Sequence, residues 1–157
     1  MLPDDWQRVR GVRLRALRDA PDAFGKTLEE ALAMSGCDWR GRLDDPDLAT
    51  FVATVNSDDV GLVVGGSYDE DAQAAGLYSM WVAPEMRGAG VGGALVDAVI
   101  AWARADSRFT RILLDVSDYN TAAIRLYESR SFLPTGQTGT LPPPREDIQK
   151  HQRELVL

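Results

Sequence analysis

Cysteine and histidine are nearly absent from this chain of 157 residues, which contains one of each, Cys37 and His151. A single cysteine excludes an internal disulfide and a cysteine metal cluster, and a single histidine leaves little for a histidine-rich metal site or a Ser-His-Asp triad. We therefore expect no bound metal. We interpret Cys37 as a packing residue rather than a nucleophile.

Long apolar stretches are lacking as well. No run approaches the roughly 20 apolar residues that span a bilayer, and the N-terminus carries the acidic pair Asp4-Asp5 without a signal-like core. Repeats and low-complexity segments are absent, and 45% hydrophobic with 26% charged residues is typical of a globular protein. These features predict a single domain over residues 1–157, cytoplasmic and without a membrane partner.

Positive charge is scarce relative to negative charge, with 17 Lys and Arg residues against 24 Asp and Glu and a formal net charge of −7. Nucleic acids are bound through clustered basic side chains, so we expect no nucleic-acid partner. An acidic surface suits a cationic substrate, but acidic composition also serves solubility alone, and both interpretations stay open.

Glycine, in contrast, is concentrated in the segment Arg87–Gly93, here called the glycine loop, which holds an arginine and four glycines. Backbone N–H groups in such a turn can approach an anion closely. The residues that follow recur at helical spacing, so the start of a helix would aim its free N–H groups into the loop. The pattern predicts a phosphate-binding loop that leads into a helix over residues 90–105.

Several ligands compete for this loop. A Walker loop needs Gly-Lys-Ser/Thr, and Gly92-Gly93-Ala94 has neither the lysine nor the hydroxyl. The dinucleotide fingerprint G-x-G-x-x-G is present at Gly88, Gly90 and Gly93, with Asp115 further on for a ribose hydroxyl. Against it, Pro84–Arg87 separate the fingerprint from its strand. A glycine turn without function remains as the third alternative.

Residues 87–92 of the loop also match the motif R-x-x-G-x-G. In this motif the chain resembles the GCN5-related N-acetyltransferase (GNAT) family. Two later segments strengthen the resemblance: Arg111–Val116 is similar to the family's next strand, and Asn120–Glu128 to its N-x-x-A-x-x-L-Y helix. The resemblance covers roughly residues 48–133. It implies acetyl-CoA as cosubstrate and a primary amine, in a small molecule or at a peptide N-terminus, as acceptor.

The fold expected from periodicity and from this resemblance is α/β (α+β). It consists of a mixed, mostly antiparallel twisted sheet flanked by about four helices, with acyl-CoA bound between two splayed parallel central strands. Expected strands cover residues 49–55, 60–68, 76–82, 111–116, 132–135 and 153–157, with turns at 56–59 and 69–73. Expected helices cover residues 3–18, 27–43 with an interruption near Ser35-Gly36, 90–105 and 120–130.

Two departures from the family pattern carry their own expectations. Met1-Leu2-Pro3 is too short for the family's first strand, which leaves an exposed sheet edge and predicts a homodimer completed by strand or C-terminal exchange. Ser131-Phe132 stands where the family generally has Gly-Phe, and we expect serine there to require only a slightly different backbone.

The resemblance implies a cofactor site. The backbone at Trp81 and Val82 would hold the pantetheine arm and the acyl carbonyl, Asn120 would contact the arm, and Arg130 would reach the nucleotide phosphates. The glycine loop would hold the pyrophosphate. The residues so implied are Trp81, Val82, Arg87, Gly88, Ala89, Gly90, Val91, Gly92, Gly93, Asn120, Tyr127 and Arg130.

Two residues are candidates for catalysis. The resemblance implies that Tyr127 lies near the thioester sulfur as general acid, and a phenol with a reference pKa of about 10 stays protonated at neutral pH. The alternative role for Tyr127 is core packing. Asp115 points away from the face shared by Leu114 and Val116 and is the candidate general base, through a water. Its alternatives are a solvated strand-end acid, or another base at Glu29, Glu30, Asp38 or Asp118.

The function predicted is transfer of acetyl from acetyl-CoA to a primary amine by direct attack in a ternary complex. A second hypothesis keeps the fold without the catalysis, as an acyl-CoA-binding sensor or scaffold module.

Overall fold

The computed structural model describes residues 1–68 and 70–157. The helices among these residues are α1 Trp6–Asp19, α2 Leu28–Ala33, α3 Gly36–Asp44, α4 Val91–Ala105 and α5 Thr121–Glu128. The strands are β1 Leu48–Val55, β2 Asp58–Tyr68, β3 Asp71–Val82, β4 Arg111–Ser117, β5 Leu133–Thr140 and β6 Gln149–Val156.

The strands form one sheet in the order β1-β2-β3-β4-β6-β5, antiparallel except for the pair β3–β4. A parallel pair needs a crossover connection, and α4 supplies it. The predicted fold class, a mixed and mostly antiparallel sheet flanked by helices, is confirmed.

The two faces of the sheet carry separate apolar clusters. Val63 and Leu77 belong to the cluster covered by α4, and Leu62 and Trp81 to the cluster covered by α1 and α3. Neighbouring residues of one strand fall into opposite clusters because successive side chains alternate between the faces. This explains the uninterrupted apolar character of the central strand β2, which is covered on both sides.

The central strands β3 and β4 separate after a short parallel contact. Residues 74–76 pair with residues 111–113, and beyond Gly76 no described residue of β4 partners β3. The pairing of β3 with β2 also shifts register in this stretch, where Ser79 has a φ of 57°. Such a bulge bends a strand and increases its twist. The predicted opening between two parallel strands is therefore present, and it begins at Gly76.

The residues before α1 form a short turn that contacts β1. Before α1, the described residues form the 3-10 turn Pro3–Asp5, and the Met1 nitrogen donates a hydrogen bond to the Thr50 carbonyl at 2.8 Å. β1 is an edge of the sheet. The homodimer that we derived from an exposed edge stays a prediction.

The expected helix over residues 27–43 is divided by two capping boxes. Thr27 and Glu30 form the predicted box, and Ser35 and Asp38 form a second one, with each hydroxyl accepting from the backbone N–H three residues later. A capping box satisfies backbone donors that a helix start leaves free. The second box therefore starts a new helix, α3, at the predicted interruption.

Several element limits differ from the expectation. β2 starts at Asp58, because Asn56 and Ser57 alone form the turn, with φ of 49° and 72°. The expected turn at 69–73 includes Asp69, which lies outside the described residues, and β3 already starts at Asp71. β5 and β6 reach residues 140 and 149, further than their sparse apolar residues predicted.

Cys37 is exposed, so its interpretation as a packing residue is wrong. The buried residue of α3 is instead Trp39, two positions further on, which is 5% exposed. Residues two apart lie on opposite sides of a helix, which turns by about 100° per residue.

The backbone at the end of α5 differs from the expectation for Ser131, which was only a slight adjustment. Ser131 has a φ of 65°, the left-handed conformation that favours glycine. The Phe132 N–H donates to the Tyr127 carbonyl at 3.1 Å and the Ser131 N–H to the Glu128 carbonyl at 3.0 Å, the pattern of a Schellman cap. Ser131 thus adopts the backbone conformation typical of glycine, and the resulting strain lowers the stability of the fold.

Replacing Ser131 with glycine is expected to stabilise the protein by up to about 1 kcal/mol, because relief of the left-handed strain exceeds the extra chain entropy of glycine. Urea unfolding followed by circular dichroism measures this. Ser131→Ala is the matched control, since it removes the hydroxyl and keeps the strain. A glycine variant no more stable than the alanine variant would contradict the argument.

Candidate active site

The glycine loop connects β3 to α4 through the 3-10 turn Pro84–Met86. Gly88 and Gly90 are left-handed, with φ of 80° and 84°, and Gly90 is the N-cap of α4. Among the described residues, the N–H groups of residues 90–93 have no hydrogen-bond acceptor. Free donors at the positive end of a helix suit phosphate oxygens.

Arg87 is folded back from the loop. Its Nε donates to the Val82 carbonyl at 3.1 Å, and its guanidinium forms an ion pair with Asp19 at the end of α1. Asp19 also accepts a hydrogen bond from Trp81 Nε1 at 2.9 Å. The Trp81 side chain is buried on the α1 face, so Trp81 can offer only its backbone to a ligand between β3 and β4.

Arg130 lies against the first turn of α4. Its guanidinium pairs with Asp97, at 3.2 Å from Nε to Oδ1, and occupies the space that a side chain at Gly93 would fill. A Cβ at Gly92 would lie 3.1 Å from Leu126 Cδ2. Because these two glycines have no side chain, α4 can approach α5 closely. The Arg130 guanidinium therefore lies beside the predicted phosphate site.

A cavity of about 470 Å³, here called the central cavity, opens between the splayed strands and the helices α1 to α3. This volume is within the range of small-ligand sites, about 300–1,000 Å³. Tyr127, Asp115 and Asn120 all line it, whereas the glycine loop lies outside its wall. Met80 connects the two, since it lines the cavity and its Cε would lie 3.4 Å from a Cβ at Gly92.

Tyr127 belongs both to the core and to the cavity wall. It is 5% exposed, and its ring meets Phe132 edge-on with the centroids 5.8 Å apart. The hydroxyl group makes no hydrogen bond to a described residue. Burial raises the pKa of Tyr127 above its usual value, because the phenolate would lose its hydration. The phenol therefore carries its proton throughout the physiological range.

Asn120 is the N-cap of α5. Its Oδ1 accepts a hydrogen bond from the Ala123 N–H at 3.1 Å, as is usual for an N-cap asparagine. The side-chain amide nitrogen makes no hydrogen bond to a described residue, and it remains available as a donor at the edge of the cavity.

Asp115 lies on the side of β4 opposite the core, as the alternation of the strand predicted. Leu114 and Val116 are buried and Asp115 is exposed, and all three contribute to the wall of the central cavity. Its Oδ2 accepts a hydrogen bond from Lys150 Nζ at 3.2 Å. Lys150 is brought there by β6, whose pairing places it opposite Ser117. The carboxylate thus lies beside a cation, with Oδ1 left for a water or substrate.

Three of the four other candidate bases have structural partners. Glu30 and Asp38 close the two capping boxes, and the hydrogen bond that the Thr27 backbone N–H donates to Glu30 lowers the pKa of Glu30. Asp118 lies 2.8 Å from His151 Nε2. These three residues and Glu29 are not part of the cavity wall, whereas Asp22, which the sequence did not single out, is.

One arginine fixes the loop that closes the cavity beside α1. Arg145 donates to the carbonyls of Pro21, Phe24 and Gly25, at 2.6, 3.0 and 2.9 Å. Phe24 and Gly25 line the cavity. No local pattern marks Arg145 in the sequence, since its three acceptors lie about 120 residues away.

The chain belongs to the acetyltransferase (GNAT) family, whose model matches residues 13–132. A mycothiol acetyltransferase of Nocardiopsis dassonvillei is 32% identical over 155 residues, which are 93% of this chain and 44% of that protein. The chain spans less than half the length of the mycothiol acetyltransferases that it matches.

Solved structures share the fold. The ribosomal-protein-alanine N-acetyltransferase of Brucella melitensis superposes with a TM-score of 0.80 at 18% identity, covering 100% of this chain and 97% of that one. The protein yncA of Salmonella typhimurium, solved with its cofactor acetyl-CoA, gives 0.78 at 19% identity, covering 100% and 91%. The family resemblance seen in the sequence is confirmed.

Two further properties hold for residues 1–68 and 70–157. None of their helices is both long enough and apolar enough to cross a bilayer. Within the same part of the chain, no three His, Cys, Asp or Glu side chains come together as a metal site.

Proposed function

We propose that this protein is an acetyl-CoA-dependent N-acetyltransferase that acts on a primary amine by direct attack in a ternary complex. The observation that carries the proposal is the convergence of Tyr127, Asn120 and Asp115 on one cavity, at the point where β3 and β4 separate. The glycine loop with its free N–H groups borders that point on the other side. The glycine loop thus suits the phosphates of CoA, and the cavity side of the opening suits the acyl transfer.

In the proposed reaction, the amine nitrogen attacks the thioester carbonyl carbon, the C–S bond breaks, and the sulfur leaves as a thiolate. The nitrogen loses one proton and the thiolate gains one, so that an N-acetyl amine and free CoA are formed. The step needs no covalent enzyme intermediate, so positioning and proton transfer are the tasks left to the protein.

The residues divide these tasks. Beyond Gly76, the backbone of β3 has no β4 partner among the described residues, and its N–H groups can polarise the thioester carbonyl. Tyr127, protonated and buried, would give its proton to the thiolate. Asp115 would accept a proton from the amine through a water, with Lys150 stabilising its charge.

The pantetheine arm would contact the backbone at Trp81 and Val82 and the free amide nitrogen of Asn120. The pyrophosphate would bind residues 87–93, with Arg130 beside it. Arg87 would have to break its ion pair with Asp19 to bind phosphate directly. Otherwise it would act on the phosphate only through the electrostatic field of the Arg87–Asp19 pair. We further propose that the protein is cytoplasmic and that the reaction needs no metal, nucleic acid or membrane.

The first test measures ligand binding and turnover together. Acetyl-CoA at about a hundred times its Kd is expected to raise the free energy of unfolding by about 2.7 kcal/mol, whereas NAD and ATP should hardly change it. Thermal unfolding measures this. Release of free CoA is then followed over polyamines, aminoglycosides, amino acids and peptide N-termini.

The outcomes separate the alternatives. Stabilisation by acetyl-CoA without turnover on any amine would favour an acyl-CoA-binding sensor or scaffold. Stabilisation by NAD alone would assign the glycine loop to a dinucleotide.

A further inference from the structure

The central cavity contains donors that the proposed reaction does not use. Arg13, on α1, lines the cavity, and its Nη1 is buried without a hydrogen-bond partner among the described residues. Its guanidinium carbon lies 4.3 Å from the centroid of the Phe24 ring, and it has no ion pair with any described carboxylate. A buried guanidinium without an anion is uncommon, because its desolvation is left uncompensated.

A second unused donor lies in the same wall. Trp39, on α3, is 5% exposed, and its Nε1 is also buried without a partner among the described residues. Buried polar atoms are nearly always hydrogen-bonded in native proteins, so each exception calls for an explanation. Two such exceptions in the wall of one cavity indicate that a ligand supplies the acceptor.

Arg42, one turn of α3 further on, adds a second guanidinium to this wall. It has no ion pair among the described residues, and it lies close enough to Arg13 for the two charges to repel each other. Burial, and then this repulsion, lower the pKa of Arg13 to about 10, so Arg13 remains charged at neutral pH. Two like charges held together are stabilised by an anion between them.

The charge of the cavity is opposite to that of the chain. Its wall contains four cationic side chains, Arg13, Lys26, Arg42 and Lys150, and two anionic ones, Asp22 and Asp115. Lys150 already pairs with Asp115. Three cations, Arg13, Arg42 and Lys26, then stand against the one carboxylate of Asp22, although the chain as a whole has a net charge of −7.

We propose that the acceptor amine also carries a carboxylate, and that Arg13, Trp39 Nε1 and Arg42 bind it. The inference rests on the proposed function, since it names the class of acceptor for the same cavity. A planar guanidinium fork and one indole N–H match the two oxygens of a carboxylate. The amine of such an acceptor would then extend toward Asp115 and Tyr127 at the opposite side of the cavity.

The experiment compares matched acceptors. α-Amino acids and ω-amino carboxylates of increasing length are each assayed beside their primary amides, which keep the shape and lose the charge. We expect kcat/KM to be about ten- to a hundredfold higher for at least one carboxylate than for its amide, the range of a charged hydrogen bond. Arg13→Met and Arg42→Met should remove most of this advantage and raise KM for the carboxylate.

Two controls accompany these variants. Arg104→Met removes an exposed arginine of α4 that lies outside the cavity wall and should leave the ratio unchanged. Acetyl-CoA stabilisation should be equal in all variants, which shows that they are folded. Amine-free carboxylates of the same lengths should stabilise the wild type in thermal unfolding and not the Arg13→Met variant, a readout that needs no turnover.

The possible failures are distinct. If amides are acetylated as well as carboxylates, or if Arg13→Met and Arg42→Met keep the preference, the inference is wrong while the acetyltransferase stands. If no amine is acetylated but simple carboxylates bind and Arg13→Met abolishes this, the proposed function is wrong and the anion site stands. A preference for aminoalkyl phosphates over carboxylates would overturn the carboxylate assignment.

Discussion

Replacing Tyr127 with phenylalanine is expected to lower kcat by about 10²–10⁴-fold, the usual contribution of general acid catalysis. The variant loses the only proton that the side chain can donate and keeps nearly the same volume in the core beside Phe132. KM for acetyl-CoA should change little, because the glycine loop that we propose for the phosphates lies outside the cavity wall. Steady-state kinetics with a saturating acceptor measures both parameters.

The pKa of Tyr127 adds an expectation for the pH profile. Burial raises this pKa, so the protonated, catalytically competent form persists to higher pH than for a free phenol. The rate should therefore show no loss from Tyr127 ionisation below about pH 10. A fall in kcat with a pKa near neutrality would have to come from another group.

Tyr119→Phe is the matched control for this substitution. Tyr119 is 81% exposed, lies just before α5 and is not part of the cavity wall, so its loss should leave kcat unchanged. If Tyr127→Phe turned over at the wild-type rate while chemistry was shown to be rate-limiting, the acid assignment would be wrong. Tyr127 would then be a core residue that happens to fall in register.

Replacing Gly90 with valine is expected to weaken CoA binding by more than about a hundredfold, or 2.7 kcal/mol. Gly90 has a φ of 84°, which a β-branched residue adopts only under strain, and it caps the helix whose N–H groups face the loop. A Cβ at this position meets no protein atom within 4 Å, so the added side chain occupies space open to the ligand.

Isothermal titration with CoA measures the loss, and thermal unfolding without ligand reports the cost to the fold. Gly11→Val in α1 serves as the control, since a Cβ there also meets nothing within 4 Å and the φ of Gly11 is not positive. Unchanged affinity in the Gly90→Val variant would mean that the phosphates bind elsewhere.

Much of the architecture could be predicted because its signals are local. The glycine loop and the apolar spacing behind it predict α4, and the alternation in Arg111–Val116 predicts that Asp115 leaves the core. Thr27 with Glu30 marks the start of α2. In each case a few neighbouring residues satisfy one another's hydrogen bonds or share one face, so no distant contact is needed.

For the candidate site, the sequence indicated single residues but not the contacts between distant residues. The motif register named Tyr127 and Asn120, and both line the central cavity. Nothing near Asp115 in the chain indicates Lys150, which is 35 residues away and reaches it through the pairing of β4 with β6. Asp19, which holds both Arg87 and Trp81, is 68 and 62 residues from them.

The sequence by itself determined most of the helices and strands, the apolar face of each, and the position of the glycine loop that we propose for phosphate. Only the tertiary structure decided that β3 and β4 separate after Gly76 and that Arg145 holds the loop beside α1. It also decided that Arg13 Nη1 and Trp39 Nε1 are buried in one wall without a hydrogen-bond partner among the described residues. The physical reason is that local patterns act through adjacent backbone and side-chain groups. The shape and charge of a cavity arise instead from contacts between segments that only packing brings together.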